Sequence, residues 1–260
     1  MTVRRWITGK RGVKAWRVAT VCALALLLIP AAGLAQFRID VESGVVSAGY
    51  NDVRIPGDEG TLFSLSEGDL SIDPSAFFRA RLEYTFGERH TFSALYAPLS
   101  AEATGVLSDG VAFAGEEFPA GTDVDGTYTF NSYRLTYRYE LRTQGPFEAG
   151  VGFTAKIRDA EIRVEGDGLS ASKTNVGFVP LLNFRLRWQF RPCMALLLQG
   201  DALAAPQGRA EDVTLALLYD LNDRIALRAG YRIVEGGADN DEVYNFALLN
   251  YISAGVTVSY

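Results

Sequence analysis

The side chains that most often carry enzyme chemistry are scarce in this sequence of 260 residues. It contains one histidine, His90, and two cysteines, Cys22 and Cys193. A serine or cysteine nucleophile requires a neighbouring base that accepts its proton, and histidine is the usual one. Any such pair would therefore depend on His90. Cys193 follows Pro192 in a predicted turn, where a small buried or interfacial side chain is the simpler interpretation.

Acidic residues are concentrated in three segments that lack a strand pattern. Segments 51–75, 100–126 and 236–245 together hold 15 acids and a single base, Arg54. Carboxylates at close spacing are the ligands that Ca²⁺ and Mg²⁺ prefer, so divalent cations are candidate partners of these segments, although no complete calcium-loop motif is present. Solvated acidic loops are the alternative and the interpretation that we adopt. The candidate cation ligands lie close together in the last segment: Asp239, Asp241 and Glu242.

The N-terminal segment has the features of a secretory signal peptide. Six basic residues precede an apolar run at 18–29, no acid is present, and small residues lie before an expected cleavage after Ala35. Removal of this segment leaves residues 36–260, with 19 basic and 31 acidic residues and a net charge of 19 − 31 = −12. An acidic exported chain is not expected to bind nucleic acid, and Cys193 is left without a disulfide partner within it.

Apolar and polar residues alternate along most of the remaining chain, as they do in two-faced strands. From 132 to 141, for example, Tyr133, Leu135, Tyr137, Tyr139 and Leu141 alternate with Ser132, Arg134, Thr136, Arg138 and Glu140. No apolar stretch of 18 residues follows residue 35, which excludes helical membrane spans. The alternation predicts ten strands, with eight or twelve as alternatives, at 37–50, 76–86, 90–99, 127–141, 147–165, 176–191, 194–204, 211–221, 225–235 and 246–260.

The connections between these strands alternate in length. Tight turns at 87–89, 142–146, 192–193 and 222–224 alternate with longer connections. An even number of strands joined in this way brings both termini and all the tight turns to one end of the sheet. The last strand ends on an aromatic residue, and one of its phases carries Ile252, Val256, Val258 and Tyr260.

This organisation resembles the bacterial outer-membrane β-barrel superfamily across residues 36–260, as an architecture and not as one particular protein. The resemblance implies an all-β fold: a closed antiparallel transmembrane β-barrel in the outer membrane, with long loops outside the cell and both termini in the periplasm. It also implies a terminal-strand signal for barrel assembly at Ile252, Val256, Val258 and Tyr260. The partners would then be outer-membrane lipid and the assembly machinery, for a monomer without a cofactor. A soluble periplasmic barrel is the alternative, but a face of exposed Tyr, Phe, Trp and Leu would aggregate in water.

The polar phase of the strands is rich in charge, with twelve bases and eight acids. A barrel of about this size has room for little more than its own side chains, so the sequence predicts a largely filled lumen with an internal network of ion pairs. The predicted members are Arg79, Arg81, Glu83, Arg134, Arg138, Glu140, Arg185, Arg187, Asp201, Asp220, Arg228 and Arg232. The same phase also carries Arg38, Asp40, Glu42, Glu148, Lys156, Arg158, Arg191 and Asp212.

The predicted function is that of a structural or surface-interaction protein of the outer membrane, and the alternative is a narrow anion-preferring channel. Known outer-membrane enzymes of the omptin, phospholipase A and lipid A deacylase types use a histidine near the outer rim. His90 is expected beside a periplasmic turn, so no enzyme activity is predicted. Segment 100–126 is expected to fold over the outer mouth, attracted by the lumen arginines and anchored by apolar residues, namely Val111, Phe113 and Phe118.

Overall fold

The computed structural model describes residues 35–206 and 208–260. The predicted signal peptide lies outside these residues, except for Ala35, at which the first strand begins. No helix in the described chain has the length and apolar character needed to cross a membrane. The strands of the described residues are β1 (Ala35–Arg54), β2 (Phe63–Ser64), β3 (Leu70–Ile72), β4 (Ser75–Phe86), β5 (His90–Ala97), β6 (Ser100–Val106), β7 (Val111–Phe113), β8 (Glu116–Phe118), β9 (Asp123–Arg142), β10 (Phe147–Gly166), β11 (Leu169–Arg191), β12 (Met194–Ala205), β13 (Gly208–Asp220), β14 (Ile225–Asp239) and β15 (Tyr244–Ser259).

Ten of these strands form a closed antiparallel barrel, which confirms the predicted fold class and strand number. Around the ring they follow the order β1, β4, β5, β9, β10, β11, β12, β13, β14 and β15, and β15 pairs with β1. Four tight connections lie at the end of the barrel where β1 begins and β15 ends. We call this end the lower rim, and its connections are 87–89, 143–146, 192–193 and 221–224.

Apart from His90 of β5, the outward side chains nearest the lower rim are apolar or aromatic on all ten barrel strands. We call this surface the apolar band. Its exposed large members are Val41, Val45, Phe78, Leu82, Phe86, Phe92, Tyr96, Tyr133, Leu135, Leu141, Phe147, Val151, Phe153, Ile157, Val176, Phe178, Leu182, Leu186, Trp188, Phe190, Leu196, Leu215, Leu217, Tyr219, Leu227, Tyr231, Ile252 and Val256. The inward side chains at the same height are polar and charged, so the barrel is apolar outside and polar inside at this level.

Above the apolar band the two faces exchange their chemistry. On β9 and β10 the outward residues become Asp123, Asp125, Thr127, Thr129, Asn131, Asp159, Glu161, Arg163 and Glu165. The inward residues at that height are Val124, Tyr128, Phe130, Ala160, Ile162 and Val164. We call this part of the barrel the upper extension. Because its inside is apolar and its outside polar, it has the residue distribution of a barrel in water.

The exchange of faces explains why the upper connections differ from the prediction. Segment 100–126 was expected to be a loop, but it contains β6, β7, β8 and the start of β9. Strand β6 continues the barrel wall after β5, because it pairs with the upper part of β9. The connection after β10 is also only two residues long, since β11 begins at Leu169. The strands extend above the band, where their outward residues are no longer apolar.

Two segments close the top of the barrel, 55–74 and 107–122, and we call them together the cap. They bind each other through backbone hydrogen bonds, including one from the Ala114 amide to the Ile55 carbonyl oxygen at 2.9 Å. Their apolar side chains join the interior of the upper extension in one buried cluster. The cap contributes Ile55, Leu65, Leu70, Leu107, Val111, Phe113 and Phe118, and the barrel contributes Val46, Val53, Phe77, Leu99, Tyr128, Ile162, Val164, Val234, Leu249 and Tyr251.

Candidate functional site

The most highly charged part of the structure lies inside the barrel at the height of the apolar band. Asp212 accepts contacts from three arginines: Arg79 at 2.9 Å, Arg134 at 2.7 Å and Arg232 at 2.5 Å. A second acid, Glu42, lies 2.7 Å from Arg232 and 2.8 Å from Arg228. We call the connected group the cross-lumen network, and its members are Asp40, Glu42, Arg79, Arg134, Asp201, Asp212, Arg228 and Arg232.

The network spans the barrel instead of following its wall. Arg79 lies on β4 and Asp212 on β13, which are four positions apart in the ring of ten strands, so their contact crosses the interior. Arg134 on β9 contacts Asp201 on β12 at 2.7 Å, and this contact also crosses the barrel interior. With four arginines and four carboxylates the network is formally neutral. Arginine and carboxylate side chains in equal number therefore occupy the lumen at this height.

A second set of ion pairs lies closer to the lower rim. Glu148 accepts from Arg185 at 3.2 Å and from Arg187 at 2.9 Å, and Arg187 also reaches Asp220 at 3.2 Å. Arg138 contacts Glu140 at 2.7 Å and Glu83 at 3.8 Å. Of the twelve predicted members, eleven thus contact an opposite charge in one of the two sets. The remaining one, Arg81, takes part in none of the ion pairs found among the described residues.

The residues at the centre of the network were only partly singled out from the sequence. Glu42 and Asp212 lie on the predicted polar phase, yet neither was among the predicted members. Both are buried, with 2% and 3% of their side-chain surfaces exposed. Their position beside several arginines depends on the strand register, and no local spacing in the sequence indicates it.

The two larger cavities inside the barrel lie one on each side of the cross-lumen network, and a much smaller one of about 10 Å³ lies beside Arg79 and Arg134. The lower cavity has a volume of about 530 Å³ and is lined by charged residues that include Arg38, Arg81 and Arg187. The upper cavity has a volume of about 390 Å³ and is lined mainly by apolar residues of the upper extension. The side chains of the network stand between a charged lower cavity and a mainly apolar upper cavity.

The cap is held by apolar packing of Val111, Phe113 and Phe118, as expected from the sequence, but the expected attraction between its acids and the lumen arginines is not seen as ion pairs in the described residues. Phe113 and Phe118 are each 1% exposed and lie in the buried cluster under the cap. The acids beside them, Glu116 and Glu117, are exposed. Within the described residues no ion pair joins an acid of 107–122 to a barrel arginine. Since water solvates the exposed carboxylates well, the aromatic side chains enter the interior and the acids remain outside.

A hydrogen-bonded contact joins the two segments of the cap at their polar surface. The Ser108 amide and hydroxyl groups both donate to the Asp69 carboxylate, each at 2.8 Å. These hydrogen bonds, the amide bond first, lower the pKa of the Asp69 carboxyl group from its ordinary value.

No protein-family model and no curated protein matches the chain. Among solved structures, the outer-membrane protease OmpT from Escherichia coli matches with a TM-score of 0.52 and 9% identity, over 89% of this chain and 99% of that one. The chain has the bacterial outer-membrane β-barrel fold. Two further outer-membrane barrels match with lower TM-scores: Ail of Yersinia pestis (0.37, 9% identity, 86% of this chain and 98% of that one) and Neisserial surface protein A (0.33, 15% identity, 88% and 99%).

The single histidine of this outer-membrane barrel lies on the outer surface of the lower rim. The His90 ring stacks on Phe86 with 5.1 Å between ring centroids, and its Nδ1 atom lies 2.9 Å from the Tyr137 hydroxyl. Aromatic neighbours continue on both sides, from Phe37 through Tyr84 to Tyr139. His90 is thus part of an aromatic belt, which is the usual feature of barrel surfaces at a membrane interface.

The other candidate residues have simple surroundings. Cys193 is exposed on its turn, so the expectation of a buried thiol is wrong, while an interfacial position stays a prediction. No three His, Cys, Asp or Glu side chains of the described chain lie close enough together to hold a metal ion. Of the proposed cation ligands, Glu242 lies 4.0 Å from Lys173. In the last barrel strand, β15, Ile252 and Val256 point outward into the apolar band, and the Tyr260 amide donates to the Phe37 carbonyl oxygen at 2.9 Å.

Proposed function

We propose that this chain is an integral outer-membrane protein of the structural or surface-interaction type, which presents an acidic upper surface and forms no open pore. The cross-lumen network is the observation that carries the proposal. Ions crossing the barrel would have to displace contacts such as Arg79–Asp212 and Arg134–Asp201, which are 2.9 and 2.7 Å long. Breaking buried ion pairs is costly, because each separated charge loses its partner away from water.

The location in the outer membrane rests on the outside of the barrel. The apolar band surrounds all ten strands, and the aromatic belt lies at its lower edge. Closed strand pairing satisfies the backbone hydrogen bonds that lipid cannot. In this proposal the lower rim, with both termini, faces the periplasm, and the upper extension and cap face outward.

The interaction surface is the outside of the upper extension together with the cap. Its exposed acids include Asp58, Glu59, Glu116, Glu117 and Asp125. Such a surface attracts basic partners and divalent cations. A salt-dependent affinity of proteoliposomes for a basic protein such as cytochrome c, lost on replacing Glu116 and Glu117 by glutamine, would support this role.

Conductance in planar lipid bilayers tests whether the barrel is closed. We expect no steady current from the purified protein. Replacing both Arg79 and Arg134 by alanine removes the bulk that crosses the lumen and should produce a measurable current. A large and stable current through the unmodified protein would refute the closed barrel.

The second candidate function is a narrow anion-preferring channel. It is favoured by the excess of arginine on the inward face and by the charged lower cavity, which opens beside the lower rim. In the same bilayer experiment this function requires current in the unmodified protein and a reversal potential that indicates anion selectivity.

We also propose that the protein is not an enzyme. His90, its one histidine, is packed in the aromatic belt at the lower rim and has no serine or acidic partner among its described contacts. Hydrolysis of a peptide, phospholipid or lipid A substrate by the purified protein would contradict this proposal, and hydrolysis that persists in His90→Ala would place the site away from the histidine.

A further inference from the structure

The upper cavity combines apolar walls with a positively charged floor. Its walls are formed by inward residues of the upper extension, and Ile55 of the cap covers it. The wall residues include Tyr128, Phe130, Ile162, Val234, Ala247 and Leu249. At the floor, just above the cross-lumen network, lie Lys156 and Arg158 of β10. The volume of about 390 Å³ falls in the range of sites that hold small organic molecules.

The two floor cations differ from the arginines of the cross-lumen network because neither takes part in an ion pair of the described residues, although Glu161 and Glu235 also line the cavity. Lys156 is 4% exposed, and its Nζ atom lies 4.7 Å from the centroid of the Phe130 ring. It takes part in none of the ion pairs or hydrogen bonds of the described chain. Arg158 donates to the Asn175 side-chain oxygen, while its Nε atom is buried without a partner. A buried cation normally has a counter-charge within ion-pair distance, and neither the buried Lys156 nor the half-buried Arg158 has one among the described residues.

The barrel wall is open beside this cavity. Strand β11 pairs with β12 only from Leu182 downward, so residues 169–181 have no partner on that side in the described structure. The β12–β13 hairpin ends lower, where Ala205 pairs with Gly208. We call this opening the notch. Leu203 faces inward by its register but is 37% exposed, because the wall above it is missing.

The notch lies at the upper edge of the apolar band. Below it β11 presents Leu182 and Leu186 to the outside, and above it the outward residues are Ser172 and Thr174. Phe178 and Pro180 lie between these levels and line the cavity from its outer side. An amphiphile whose apolar chain lies beside the apolar band and whose head group lies at the upper edge of the band would therefore reach the notch with its head group nearest the opening.

We propose that the upper cavity binds an anionic amphiphile with a single apolar chain, whose carboxylate or phosphate pairs with Lys156 and Arg158. The chain lies against the apolar walls, and the notch connects it with the apolar band. This inference goes beyond the proposed surface role and does not depend on it, because a closed lumen and an occupied upper cavity are separate properties.

Binding can be measured with the full chain in nanodiscs of zwitterionic phospholipid, with empty nanodiscs subtracted. The probes are laurate, dodecyl phosphate and dodecanol, which share one chain length and differ in the head group. A charge-assisted hydrogen bond contributes about 1.5–3 kcal/mol, so we expect both anions to bind at one site roughly 10- to 150-fold more tightly than dodecanol. The tighter of the two anions identifies the head group. Equal binding of all three probes, or only non-saturable uptake, would overturn the proposal.

Variants at the floor separate a ligand site from a structural role. Lys156→Met should weaken laurate binding about ten-fold or more, and it should also raise the midpoint of thermal unfolding of the ligand-free protein, because an unpartnered buried charge is removed. Arg163→Met is the matched control: Arg163 lies on the same strand but is exposed, and it pairs with Glu161 at 2.7 Å. Unchanged laurate affinity in Lys156→Met, or an equal loss in Arg163→Met, would refute the assignment. If Lys156→Met does not fold, the comparison of laurate with dodecanol still decides the question.

Discussion

Asp212 is the acid whose charge the barrel should need most. It is 3% exposed, and three arginine side chains lie within 2.9 Å of its carboxylate oxygens. In Asp212→Asn the shape and one accepting oxygen are kept, but the cross-lumen network changes from neutral to a net charge of about +1. Removing one partner of a buried ion pair costs about 3–5 kcal/mol, because the remaining charges stay buried without compensation. We therefore expect Asp212→Asn to lower the free energy of unfolding by about 3–5 kcal/mol.

Asp220→Asn provides the matched control. Asp220 also pairs with an arginine, but it has the single contact with Arg187 at 3.2 Å, and its side chain is 33% exposed near the lower rim. Ion pairs that water reaches contribute about 0–1 kcal/mol. The same chemical substitution at the two positions should thus differ by at least about 2 kcal/mol.

The two variants can be compared by urea unfolding in vesicles of zwitterionic lipid. The folded fraction is measured from the different gel migration of unboiled and boiled samples, which a closed barrel should show. Equal destabilisation by Asp212→Asn and Asp220→Asn, within about 0.5 kcal/mol, would refute the reasoning, because burial within the network would then make no difference.

Three further predictions concern the ends of the barrel. On intact cells an impermeant maleimide should label Glu117→Cys in a Cys193→Ser background and leave the native Cys193 unlabelled; the reverse pattern would invert the orientation. Phe113→Ala should destabilise the cap by about 3–5 kcal/mol, so that protease cuts 107–122 while the gel migration of the barrel is unchanged; a cap that stays resistant would show that packing does not hold it. The Asp69–Ser108 contact should persist below the ordinary pKa of a free aspartate and be lost only as the pH falls through the lowered pKa of Asp69. Ser108→Ala should therefore make the cap sensitive to protease at a higher pH, and an unchanged pH profile would contradict this role.

The sequence predicted the number of strands because alternation continues wherever lipid-facing residues are apolar. It was less successful in the upper extension, where β11 begins at Leu169 and not at the predicted 176. There Ser170, Ser172 and Thr174 point outward, while the inward phase mixes the apolar Leu169 and Ala171 with Lys173 and Asn175, so the alternation is weak. Alternation of apolar and polar residues reveals a strand only where its two faces meet different environments. The prediction of strand bounds therefore fails where the two faces have similar surroundings.

The candidate site shows a similar limit. The sequence identified which residues face the lumen, because the direction of a side chain on a strand depends only on the local alternation with a period of two. The pairing of Arg79 with Asp212 joins positions 133 residues apart, and it depends on ring closure and on the tilt of the strands. The upper cavity was missed entirely. The small residues at its wall, such as Gly236 and Ala210, indicate space only after the notch beside them is known.

The upper extension also determines how far from the membrane a partner would meet this protein. On β9 about nine residues lie above Ser132, and at about 3.3 Å per residue with a tilt near 40° they rise roughly 20–25 Å. The upper extension consists of paired strands around an apolar core, so it is stiffer than a loop of the same length would be. In the proposed orientation the acidic surface is held at a fixed distance from the lipid, where a partner of the right height would bind it without touching the bilayer.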